Sequence, residues 1–213
     1  MIEDAGYPRF ASRGRAFVYV LPCRDQDLLK VGFSRDPLQR LRTLHPRFFA
    51  FFDLQRGLLI ETDHLRDARR IERLLITTFA AQRAPAPLVV AQAAGGHTEW
   101  YRGVFPAVVA LAQRVCDEDG FVLHRSLRGW LQARFEERSD VLFDWSARLL
   151  EAIDYVRCNP PADRDSGRIE QARMEQALGR TLDACAALGL DVQALVDPAV
   201  FGWFQQRQAL RFG

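Results

Sequence analysis

Two residues in the front half of this 213-residue chain carry chemistry that their neighbours do not. The first is Lys30, in LLKVGF (28–33). It is the one lysine present, because the other 28 of the 29 basic side chains are arginine. Lysine offers a compact charge with rotating donors, and its pKa falls readily on burial, whereas arginine is wider and stays charged. These properties suit a narrow, phosphate-facing cleft. They also suit an edge-strand lysine that discourages pairing between sheets. The second is Glu72. On a helical wheel of residues 65–79, at about 100° per residue, Leu65, Ala68, Leu75, Ile76 and Phe79 form an apolar stripe, and Glu72 falls in its middle. A carboxylate there must be paired, protonated or metal-bound, since burying it alone is costly. One reading is a structural ion pair or a place at the rim of the core. The other is ligation of a hard cation such as Mg²⁺, which binds oxygen and often takes only one or two protein carboxylates. Arg66, Arg69 and Arg73 cluster on the adjoining side of the wheel.

The elements that must position these residues are legible in outline. AFVYVLP (16–22) and LLKVGF (28–33), separated by a polar turn, predict a β-hairpin. In SRDPLQRLRTLHP, Asp36 is a helix N-cap, Pro37 fits the first helical position, and Pro46 ends the helix. The later part of FFAFFDLQRGLLIE predicts a third strand. Residues 63–82 predict a helix capped by Thr62 or Asp63. RAPAPLVVAQAAGGHT reads as a loop, followed by EWY and an apolar helix over 106–116. Composition shifts at DEDG (117–120), which suggests a domain 1–116 and a mostly helical domain 117–213. In the latter, Leu127, Trp130, Leu131 and Phe135 recur at helical spacing, NPPADRDSG (159–167) is a solvated break, and 168–188 is a helix. Trp130, Trp145 and Trp203 read as core, with Phe204 packing inward beside the last. The expected class is α+β: a small three-stranded antiparallel sheet flanked by helices, then a helical C-terminal region.

Charge is distributed unevenly. Residues 1–103 hold 16 basic and 11 acidic side chains, and residues 104–213 hold 13 and 16, so the net +2 divides as +5 and −3. A basic front half suggests an anionic partner, with nucleic acid the usual one. No stretch reaches the roughly 18–20 apolar residues of a membrane span. The start MIEDAGYPRF lacks the order of a secretory signal. The four cysteines, Cys23, Cys116, Cys158 and Cys185, lack zinc or redox spacing. These features predict a cytoplasmic protein with reduced thiols.

Tyr19 in FVYVL, Lys30-Val31-Gly32, Arg40 in DPLQRLRTL, Glu72 on its helix and Glu99-Trp100 in GGHTEWYRG stand in an order that resembles the GIY-YIG nuclease superfamily. The likeness is to the phage and bacterial branch whose second tyrosine is commonly a lysine, and it covers residues 15–103. Phe17 stands in place of the first motif glycine, and no asparagine follows the glutamate helix in 73–103. The resemblance implies metal-assisted hydrolysis of a nucleic-acid phosphodiester, DNA before RNA, with Mg²⁺ or Mn²⁺ as cofactor. It assigns catalytic places to Tyr19, Lys30, Arg40 and Glu72, with Glu72 the metal ligand. Tyr19 would take the proton of the attacking water if the metal and Arg40 lower its reference pKa of about 10. Arg40 would clamp phosphate oxygens. Arg42, Arg69 and Arg73 are the candidate nucleic-acid contacts, and His45 and Glu99 the candidate accessory residues. Tyr19 as a core tyrosine, His45 as a helix end and Glu99 as a fold anchor are the competing readings. The departures also fit a catalytically inactive module that binds nucleic acid or protein. The helical region offers a place for a protein partner or self-association, and nothing suggests a membrane.

Overall fold

The computed structural model of the chain describes residues 6–8, 14–90, 98–159 and 163–212. Contacts group it into two compact units, residues 9–131 and residues 1–8 with 132–213.

The first unit is built on the expected hairpin. β1 (Ala16–Pro22) and β2 (Leu28–Ser34) pair antiparallel with Tyr19 opposite Gly32 and Leu21 opposite Lys30. β3 (Leu58–Thr62) lies on the other side of β1. Two further strands extend the expected three to five. β4 (Trp100–Arg102) pairs with β2, and β5 (Val122–His124) pairs with β3. The order is β4-β2-β1-β3-β5, antiparallel throughout. Each added strand has only three residues, too few for an alternating pattern to stand out in sequence.

Strand alternation separates two faces. Ala16, Val18, Val20, Leu29, Val31, Leu58 and Ile60 face a core completed by α3 (Leu65–Thr78) and α4 (Phe105–Asp119). The opposite face carries Phe17, Tyr19 and Leu21 of β1 and Lys30 and Gly32 of β2. Helix α1 (Pro37–Leu44) packs against β2, with Leu38, Leu41 and Leu44 buried. It begins as its sequence dictates, with the Asp36 side chain accepting from the Gln39 N–H at 3.0 Å. A short helix, α2 (Phe48–Phe51), follows. The N-cap of α3 is His64, not Thr62 or Asp63: Thr62 is buried as the last residue of β3, where its hydroxyl donates to the Ala16 carbonyl at 2.9 Å. The loop after α3 is non-helical from Arg83 to Val90, and 91–97 lie outside the described residues. DEDG (117–120) is the end of α4, terminated by Gly120 at φ 73°, and lies inside this unit and not at its border.

The second unit is helical. After α5 (Leu127–Glu136), it holds α6 (Ser139–Cys158), α7 (Arg164–Leu188), α8 (Val192–Leu195) and α9 (Pro198–Phe212). Asp183 on α7 ties down α9, accepting from Arg207, Gln208 and Arg211. Trp145 and Phe204 are buried here, as is Trp130 in the first unit, whereas Trp203 is half-buried beneath the Arg207 guanidinium. No helix among the described residues is long and apolar enough to cross a membrane.

One close approach governs the sheet. A Cβ built on Gly32 would lie 2.3 Å from the Tyr19 hydroxyl oxygen and 2.5 Å from the ring carbon bearing it. The phenol therefore lies across the space where any other residue would place a side chain. Tyr19 is buried and its ring cannot bend. Gly32→Ala is expected to destabilise the protein by about 1–3 kcal/mol, the usual range for overpacking a tight core. Thermal denaturation checks this: the melting temperature should fall by several degrees, and an unchanged value would mean that the ring can move aside.

Candidate active site

β4 covers only the first part of β2. Its ladder spans Leu28–Lys30, with one more backbone bond from the Val31 N–H to the Glu99 carbonyl at 3.0 Å. From Gly32 onward this edge of β2 has no strand partner among the described residues. The candidate residues gather at this opening. Tyr19 comes from the neighbouring strand, Arg40 from α1 on one face, Glu72 from α3 on the other, and Glu99 from the residue preceding β4.

The floor is buried and the rim is half-exposed. Tyr19 is 3 % and Lys30 1 % accessible, while Arg40, Glu72 and Glu99 are intermediate. Arg40 Nε donates to the Tyr19 hydroxyl at 3.0 Å. Lys30 Nζ donates to Glu99 Oε2 at 2.8 Å and to the Val31 carbonyl at 3.2 Å, and it sits 5.9 Å from the Trp100 ring centroid. Thr98 donates to the other Glu99 oxygen.

Each titratable group feels the others. Burial pushes the Tyr19 phenol above its ordinary pKa of 10.0; the Arg40 charge and bond oppose this, and Glu72 and Glu99 add to it. The lowering by Arg40 expected from sequence is thus present but outweighed, and Tyr19 is a neutral phenol at neutral pH. Burial draws Lys30 below the ordinary lysine range; Glu99 opposes this, and Arg40 reinforces it. Burial and then the Glu99 charge raise Glu72, against Lys30, Arg40 and Arg69. Burial also pushes Glu99 upward, but the bonds from Lys30 and Thr98 leave it below the ordinary carboxylate range.

Glu72 does not occupy the centre of the buried face of α3. The buried residues are Ala68, Ile71 and Leu75, followed by Phe79, so Ile71 shifts the stripe and leaves Glu72 on its flank. That flank is what turns the carboxylate toward the cluster. Arg69 is exposed, 5.8 Å from the Phe33 ring centroid, with its charge felt by Glu72; Arg73 is exposed further along α3. Arg42 is half-buried in the last turn of α1. His45 is engaged elsewhere: its ring stacks on Phe51 at 4.7 Å, and its Nδ1 accepts from the Arg47 N–H at 3.1 Å. The sequence reading did not find the Lys30–Glu99 bond, which joins residues 69 positions apart, nor the dependence of Tyr19 on Gly32.

No group of three or more His, Cys, Asp or Glu side chains among the described residues is arranged to hold a metal ion. Glu72 alone fits a hard cation that keeps most of its water. It is half-exposed and ionises reluctantly because of burial and its anionic neighbour, so a positive charge beside it would relieve that penalty. Glu99 is already committed to Lys30 and Thr98.

Residues 16–116 match the T5orf172 domain. This domain is associated with nuclease-related families of phages and bacteria. The T5orf172 span runs from the first residue of β1 into α4 and contains Tyr19, Lys30, Arg40, Glu72 and Glu99. No curated protein and no solved structure matches the chain.

A stability test isolates Glu72. Its folded-state pKa is raised, so the folded protein holds that proton more tightly than the unfolded chain does. Stability from this group is present below the unfolded value near 4.5 and is lost as pH rises through the folded pKa. Glu72→Gln removes that loss. It is expected to melt above the parent at pH 7, by about 0.5–1 kcal/mol, with the difference shrinking toward pH 4.5. A variant that melts below the parent at both pH values would show that Glu72 is a stabilising ion-pair partner.

Proposed function

We propose that this protein is a divalent-metal-dependent endonuclease of GIY-YIG type that hydrolyses nucleic-acid phosphodiester bonds, DNA being the first substrate to test. What supports the reading is the nearness of Tyr19, Lys30, Arg40 and Glu72, from four separate elements: Arg40 bonds Tyr19, and the charges of Arg40 and Glu72 act on both Tyr19 and Lys30. The T5orf172 match over the same residues supports it.

Glu72 would hold the Mg²⁺ or Mn²⁺ ion, which when bound supplies charge neutralisation at the phosphate. The remaining work falls to the chain's own groups. Lys30, Arg40, Glu72 and Glu99 sum to zero formal charge, so the protein alone offers a scissile phosphate no net attraction. Lys30, fixed by Glu99, would place one positive charge at the floor, and Arg40, bonded to Tyr19, a second at the rim. There they would oppose the negative charge that grows as water adds to phosphorus. In the hydrolysis, a water–phosphorus bond forms and the bond to the leaving sugar oxygen breaks. The water's proton goes to Tyr19 in its ionised form, and the leaving oxygen takes a proton from solvent. Because burial raises Tyr19, that form grows with pH, and cleavage should quicken from neutral into alkaline pH before the loss of the Lys30 charge reverses it. Arg69, Arg73 and Arg42 would contact flanking phosphates.

A second reading is favoured by one observation: Tyr19 and Lys30 are both nearly inaccessible and both hydrogen-bonded within the protein, as in a domain that binds without cutting. Incubating supercoiled plasmid with protein and MgCl₂ separates the two. Glu72→Ala and Arg40→Ala are each expected to slow nicking about 10²–10³-fold, the scale for removing one charge-stabilising group, and EDTA to stop it. Salt-sensitive binding with no cleavage by the parent at any divalent metal would establish the binding module instead.

A further inference from the structure

Glu99 stands outside the set of residues that would touch the phosphate, yet it makes the shortest ionic contact in the cluster. Its carboxylate meets Lys30 Nζ at 2.8 Å, and Lys30 is only 1 % accessible. Its backbone is fixed as well, because its carbonyl accepts from the Val31 N–H and the next residue, Trp100, opens β4 opposite Lys30. The side chain is steadied by Thr98. The anion is therefore held rigidly against the lysine's own strand. This has a local cost, because the Glu99 charge hinders ionisation of both Glu72 and Tyr19. An ammonium has three donors. Glu99 and the Val31 carbonyl take two of them, and the third has no partner among the described residues.

We propose that Glu99 is a positioning residue for Lys30: its carboxylate takes one ammonium donor beside the one held by the Val31 carbonyl, so that the third meets the scissile phosphate. The inference rests on the nuclease reading above. The charged groups that act on Lys30 are Arg40 from α1, Glu72 from α3 and Glu99 beside β4. Of these, Glu99 alone is hydrogen-bonded to it.

Lys30 is the chain's one lysine, so protein labelled with ¹⁵N-lysine gives a single Nζ signal to follow in the intact protein. In the parent that signal should be an ammonium whose protons exchange slowly at neutral pH. In Glu99→Gln its titration midpoint should move to lower pH, and the alkaline limb of the cleavage profile should move with it. The same variant should lose about 10- to 100-fold in kcat with KM within about threefold, and Glu99→Asp should recover part of the loss. A midpoint and an alkaline limb unmoved in a folded Glu99→Gln would overturn the proposal. Should that variant fail to fold, Nζ protons in the parent that exchange as fast as those of free lysine would overturn it equally. A parent that never cleaves while the Nζ midpoint still moves would sink the nuclease reading and leave the Lys30–Glu99 coupling standing.

Discussion

The site depends on a steric fact about the central hairpin. Tyr19 and Gly32 face each other in the β1–β2 register, and the phenol ring lies over the glycine's Cα. A residue with a Cβ at position 32 would push the ring away from the sheet. With glycine there, the phenol lies over Gly32 and its hydroxyl stays within reach of Arg40. Two consequences follow. Arg40, carried by a helix whose three leucines fix its place against the sheet, finds the hydroxyl within 3.0 Å. Lys30, two residues before Gly32, is carried on the same strand face. The glycine thus aligns groups from three elements, and the glycine itself carries no chemistry.

Assembling those groups opposes stability. Four formal charges and a phenol share a small, largely desolvated space, where ion pairs add little net stability over apolar packing. Burial works against ionisation of Tyr19, Lys30, Glu72 and Glu99, and the Glu99 charge works against both Tyr19 and Glu72. The stabilising material lies elsewhere. On the other face of the sheet, α3 and α4 close a core, mostly of Val, Ile, Leu and Ala, with no charged member. This division, an apolar layer on one side and an electrostatically strained edge on the other, is what a scaffold needs to hold reluctant groups together.

Local signals were legible in the sequence, and signals arising from chain geometry were not. The hairpin, the Asp36–Pro37 start of α1 and the helices α3 and α4 each rest on short-range chemistry. The fourth and fifth strands do not: each has three residues and is recruited by an edge already present. The wheel places Glu72 in the middle of an apolar face because it weighs Leu65 and Ile76 as fully as the rest. In the fold those two are half-buried and Ala68, Ile71 and Leu75 are buried, so the carboxylate falls on the flank of the buried face. The Lys30–Glu99 bond had no sequence signal, since it exists only because β4 pairs with β2 in a register that puts Trp100 opposite Lys30. His45 fits the plainer of its two sequence readings, that of a helix end. It has the right residue type near the right helix, but a ring stacked on Phe51 serves the chain end of α1.

The lone lysine now has a physical explanation. In a chain that meets its other needs for positive charge with arginine, position 30 is nearly inaccessible and enclosed by Trp100, Glu99 and the backbone of β2. A guanidinium there would bring five N–H donors in a rigid plane. The acceptors around Lys30 Nζ are one Glu99 oxygen and one carbonyl, with the second Glu99 oxygen engaged by Thr98. Three guanidinium donors would be left buried without partners, each at a cost of about 1–3 kcal/mol. An ammonium leaves one. That remaining donor can be tolerated if the opening beside Gly32 lets an anion approach. The choice of lysine over arginine therefore follows from counting donors against acceptors in a dry enclosure, whatever the general base composition of the chain.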